Sequence, residues 1–81
     1  MSHTPHELHE EFPGHVAVMS TLKATDPSYA ALADRYHDIN RAIHRAETDV
    51  EPTSDAHVEE MRRERMQLKD RIWSRLREAA G

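Results

Sequence analysis

Apolar residues recur along this chain at the spacing of an α-helix. Tyr29, Leu32, Tyr36, Ile39, Ile43 and Ala46 follow one another at alternating gaps of three and four, the signature of a heptad seam. The spacing predicts a helix over residues 27–47. Asp26-Pro27 marks its start, because aspartate caps helix N-termini and proline suits the first helical position. Val58, Met61, Arg65, Leu68, Ile72 and Leu76 form a second seam, flanked by Met66 and Trp73. This predicts a helix over residues 55–80, capped by Ser54 or Asp55, with Glu59 and Glu60 in its first turns. Pro52 breaks the short stretch between the two helices, which must therefore fold back as an antiparallel hairpin. Ala46 then faces Val58, Ile43 faces Met61, Tyr36 faces Leu68 and Leu32 faces Ile72. Ile39 meets Arg65, with Asn40 beside it, so one charge interrupts the apolar seam.

Upstream, Phe12-Pro13 opens a shorter amphipathic stretch with Val16, Met19 and Leu22 on one stripe, predicting a helix over residues 13–24. Residues 1–11 are polar and are expected to form a flexible tail with at most a helical turn around Glu7 to Glu11. The expected fold is all-α: a coiled-coil-like antiparallel helical hairpin preceded by a short N-terminal helix, in one domain over residues 12–81. Two glycines in 81 residues leave too few turns for a β-sandwich or barrel. A chain of this length has little room for both a core and an enclosed substrate pocket. No phosphate-binding glycine loop and no nucleophile–base arrangement is evident. The expectation is a non-enzymatic protein without cofactor or small-molecule substrate. The absence of cysteine excludes disulfide staples and thiolate chemistry. No apolar run approaches the ~20 residues that span a bilayer, and the start lacks the features of a secretory leader. The expected location is cytoplasmic.

Charge changes the picture of the long C-terminal helix. The chain carries a net charge of −4 with 32% charged residues. Residues 51–81 carry seven charges of each sign, which reads as a solvated, salt-bridged face and argues against a nucleic-acid surface. A regulator that binds nucleic acid through its arginines is kept as an alternative. Seven histidines are present. His3, His6 and His9 would share one face of a helix and are candidate metal ligands, but nothing completes a fixed site. His37 and His44 line one flank of the helix over 27–47, and a histidine-based metal or pH sensor is the other alternative. Arg65 must be paired or reach water. Its expected mates are Asn40 or Asp38, and snorkelling of its stem is the plainer outcome.

The run Arg65-Met66-Gln67-Leu68-Lys69-Asp70-Arg71-Ile72 resembles the R-x-x-L-K-D-x-I signature of the YdcH-like proteins, small bacterial proteins of unknown function. The resemblance extends through Phe12-Pro13, Leu22-Lys23, Tyr36-His37-Asp38-Ile39-Asn40, Ile43-His44-Arg45 and Glu47, over roughly residues 6–78. It implies a helical hairpin in the bacterial cytoplasm and supplies no catalytic or binding residues. Gly14 departs from the pattern, where a helix-favouring residue is expected, and weakens the start of the first helix by up to ~1 kcal/mol. Glu47 is placed to reach back to Arg62 or to cap the hairpin. About a dozen buried apolar side chains leave an isolated hairpin only marginally stable. The expected partner is therefore a protein, first of all a second copy in a homodimer built as a four-helix bundle. Its seam would be Tyr29, Leu32, Tyr36, Ile39, Ile43, Met61, Arg65, Leu68, Ile72, Trp73 and Leu76.

Overall fold

A computed structural model of the protein describes residues 4–48 and 53–80. Along these the chain forms α1 (Leu8–Glu11), a 3₁₀ turn (Pro13–His15), α2 (Val16–Thr25), α3 (Pro27–Glu47) and α4 (Asp55–Ala80). The fold is all-α, and α3 and α4 are its antiparallel hairpin.

Each long helix begins where the sequence supplies a cap. Asp26 Oδ1 accepts from the backbone N–H of Ser28 at 3.0 Å and of Tyr29 at 3.2 Å, satisfying two donors that no helical carbonyl reaches. Ser54 does the same for α4, its Oγ accepting from His57 N at 3.2 Å. The helix expected over residues 13–24 begins instead as the 3₁₀ turn, with Gly14 inside it, and becomes α-helical only at Val16. Its far end is closed by Thr25, whose hydroxyl donates to Thr21 O at 2.8 Å.

Register between α3 and α4 is held by cross-helix polar contacts along the hairpin. Arg62 Nη2 donates to Glu47 Oε2 at 2.6 Å near the loop, and Arg35 Nε donates to Glu64 Oε2 at 2.5 Å. At the open end, Arg75 reaches Asp26 Oδ2 at 2.9 Å and Ser28 Oγ at 2.8 Å. Asp26 thus caps α3 and anchors α4 with different oxygens.

The core contains Tyr29, Ala33, Tyr36, Ile39 and Ile43 from α3, Val58, Met61, Leu68, Ile72 and Leu76 from α4, Met19 from α2 and Leu8 from α1. The buried stripe of α3 differs from the expected seam, of which Leu32 and Ala46 are only partly buried. Leu32 is half-buried, while Ala33 and Asn40 are buried. The cause is the layer added by α2 and the N-terminal segment, which packs on the hairpin and widens the buried stripe of α3 to the side away from Leu32.

The N-terminal segment is the largest departure. Residues 5–11 lie against the hairpin, whereas the sequence reads as a polar tail. Leu8 is only 5% exposed. Tyr36 donates its hydroxyl to His6 O at 2.6 Å, and Asn40 Nδ2 donates to Pro5 O at 2.8 Å. To present that carbonyl, His6 adopts φ 62°, a left-handed conformation that costs a non-glycine residue about 1 kcal/mol.

Candidate functional site

The expected seam proves to be the inside of a single chain. Tyr29, Tyr36, Ile39, Ile43, Met61, Leu68, Ile72 and Leu76 are all buried, and Leu32 and Arg65 are half-buried. As they stand, these side chains hold α3, α4 and the N-terminal layer together. Only Trp73 of that group is exposed, at 37%.

Arg65 and Asn40 form a polar relay through the core. Arg65 Nη1 donates to Asn40 Oδ1 at 3.0 Å, and Asn40 passes its own N–H to Pro5 O. Both functions of the amide are used, so a side chain only 1% exposed carries no unmet polar demand there. Beside the relay, burial pushes the Tyr36 hydroxyl up to about 12, with the Glu11 carboxylate adding to the effect. Burial alone raises Tyr29. Glu11 shows the opposite outcome. Burial disfavours its charge, but hydrogen bonds and attraction from His6 and Lys69 outweigh that and hold it below the usual carboxylate value. His6 Nδ1 lies 3.1 Å and Lys69 Nζ 3.4 Å from the same Glu11 oxygen. His37 Nδ1 lies 3.0 Å from Glu7 Oε2, with its N–H not aimed for a hydrogen bond.

Among the described residues the exposed large apolar side chains are Val16 on α2 and Met66 and Trp73 on an outward stripe of α4. Met66 is 66% exposed, and Trp73 lies seven residues, two turns, further on. Between them stand Lys69 and Asp70. Phe12 stacks on Trp73, with ring centroids 5.5 Å apart and planes 5° from parallel. His15 meets Trp73 edge-on at 5.2 Å, and Lys69 Nζ sits 5.9 Å from the Phe12 ring centroid. The stack fixes Trp73 in one orientation and leaves its outer edge at the surface. A shallow hollow of about 350 Å³ runs beside it, bordered by Pro13, Gly14, Lys69 and Asp70. Nothing lies within 4 Å of the space a Cβ on Gly14 would take.

A family model described as "Protein of unknown function (DUF465)" matches residues 30–76. The chain belongs to the DUF465 family. The match spans most of α3 and α4, including the Arg65–Ile72 run that resembles the YdcH-like signature. No curated protein and no solved structure matches the chain.

His3 lies outside the described residues. His6 is turned to Glu11, and His9 is exposed. Among the described residues no group of three or more histidines and acids is placed to hold a metal ion. No described helix is long and apolar enough to cross a membrane. Several arginines of α4 are committed: Arg62 to Glu47 and Glu59, Arg65 to Asn40, Arg75 to Asp26. Sequence reasoning missed Leu8, Glu11 and the carbonyls of Pro5 and His6. Leu8, a lone leucine in a polar run, was the one visible signal.

Proposed function

We propose that this protein is a non-enzymatic, cytoplasmic interaction module that associates with a second copy of itself through the outward stripe of α4. The observation that supports it is the arrangement around Lys69 and Asp70: Met66 on one side, Trp73 on the other, both exposed. Two copies of α4 crossing antiparallel about this point place Met66 of one copy on Trp73 of the other, twice. The same crossing places Lys69 of each copy on Asp70 of its partner. A surface that is complementary to itself in both shape order and charge is what a two-fold interface requires. Farther out, Arg77 falls near the Glu59–Arg62 ion pair and so does not meet a bare cation. The dimer of this reading is a pair of closed three-layer chains. The internal seam does not open to form it.

Sedimentation equilibrium of the full chain and its M66D variant tests the reading. Met66 is mostly exposed, so M66D retains helicity and loses dimer. D70K alone also loses dimer by facing lysine with lysine, and K69D with D70K restores it. A wild-type chain that stays monomeric at millimolar concentration overturns the proposal, as does a dimer that survives M66D.

A further inference from the structure

The opposite side of the hairpin carries a second surface. An open groove of about 940 Å³ runs between α3 and α4, and no residue of α1 or α2 lines it. Its floor is apolar, formed by Ala31, Leu32 and Leu68. Leu32 is the seam leucine that the N-terminal layer left half-buried. The rim is basic. Arg35, Arg63, Arg71 and Arg75 stand on it against Glu60 and Glu64, on a chain whose net charge is −4. Arg35 is tied to Glu64 and Arg75 to Asp26. Arg63 and Arg71 have no ion pair among the described residues.

Arg63 and Arg71 lie eight residues apart on α4, about 12 Å along the axis. Carboxylates seven or eight residues apart on another helix span the same distance. The apolar residues one turn inside them reach the floor, the usual way an amphipathic helix seats in a groove. We infer that this groove docks an acidic amphipathic helix of another protein, with leucine-like side chains on Ala31, Leu32 and Leu68 and two carboxylates on Arg63 and Arg71. A nucleic-acid strand fits worse. The groove has no aromatic ring to stack a base on, and its apolar floor suits leucine-like side chains better than a phosphate backbone. The surface is separate from the Met66–Trp73 stripe, so it stands or falls independently of self-association.

The test uses two labelled synthetic peptides of about five helical turns. They share one leucine-alanine face and carry either glutamates or lysines at the flanking positions. Fluorescence anisotropy is measured against the full chain. The glutamate peptide is expected to bind, more weakly as salt rises, and the lysine peptide not to. The variant with both R63E and R71E should lose about tenfold or more for the glutamate peptide and gain affinity for the lysine one. A31E, which puts a carboxylate on the exposed floor, should lose binding while M66D keeps it. Failure of the glutamate peptide to bind at millimolar chain overturns the inference. So does binding unchanged by R63E with R71E, and so does an oligonucleotide that displaces the peptide.

Discussion

Replacing Asn40 with alanine tests the relay that joins all three layers. The amide donates to Pro5 O at 2.8 Å and accepts from Arg65 at 3.0 Å, at a position 1% exposed. A neutral hydrogen bond contributes about 1 kcal/mol, and one to a charged group about 1.5–3 kcal/mol. Arg65 is half-exposed and regains water in the variant, so the lower part of that range applies. With the packing of the lost atoms, N40A should cost about 3 kcal/mol, or a fall in Tm of about 12–24 °C for a domain of this size. Urea and thermal unfolding followed by circular dichroism measure it. A double-mutant cycle with R65M isolates the pair and should show coupling of at least ~1 kcal/mol. N40A costing under ~0.5 kcal/mol, or effects that add to within ~0.3 kcal/mol, would mean that Arg65 merely extends to solvent and the relay carries no stability.

Three further outcomes follow from the same geometry. Glu11 titrates below its usual value in the folded chain, so its contribution is present above the unfolded value and is lost as pH falls through the folded one. E11Q should therefore lower stability at neutral pH, where the contribution is present, change it little at acid pH, and so flatten the acid limb of the stability profile below about pH 4.5. Tyr36 is raised to about 12 from 10.0. Its contribution is complete below pH 10 and disappears toward pH 12, where ultraviolet absorbance should show its phenolate forming with unfolding and Y36F should remove that step. G14A meets open space, and it should raise stability by about 0.4–1 kcal/mol in chemical denaturation by restricting the unfolded chain.

The hairpin was legible because the seam residues repeat at the period of packed helices and Asp26-Pro27 gives its start. The same antiparallel register offered Arg65 either Asn40 or Asp38, beside the plainer outcome of snorkelling, and Glu47 either Arg62 or a cap on the hairpin; the structure has Arg65 on Asn40 and Arg62 on Glu47. What failed was everything that depends on a third layer. Leu32 and Ala33 are neighbours on a helix, and which of them turns inward is decided by whether α2 covers that flank. The docking of residues 5–11 was illegible for a different reason. Its acceptors are the backbone carbonyls of Pro5 and His6, and every residue has a carbonyl. Only the left-handed turn at His6 aims one of them, and no residue type in the run announces it. At the surface, Trp73 stood out as lying beside the seam, and it does pack on the N-terminal layer through Phe12. Met66 read only as a seam flank, and its exposure follows from the helix phase fixed by the core.

The pairing of Glu11 with Lys69 bridges 58 positions of the chain, and Phe12 with Trp73 spans still more. In a cell, the ribosome makes Leu8 and Phe12 long before the residues that cover them. Until α4 has emerged, Phe12 lacks the Trp73 ring it stacks on. Docking of these first-made residues therefore waits until the chain has been extended past Trp73. Any chain cut short before Lys69 lacks both the Trp73 ring that stacks on Phe12 and the ammonium that meets Glu11.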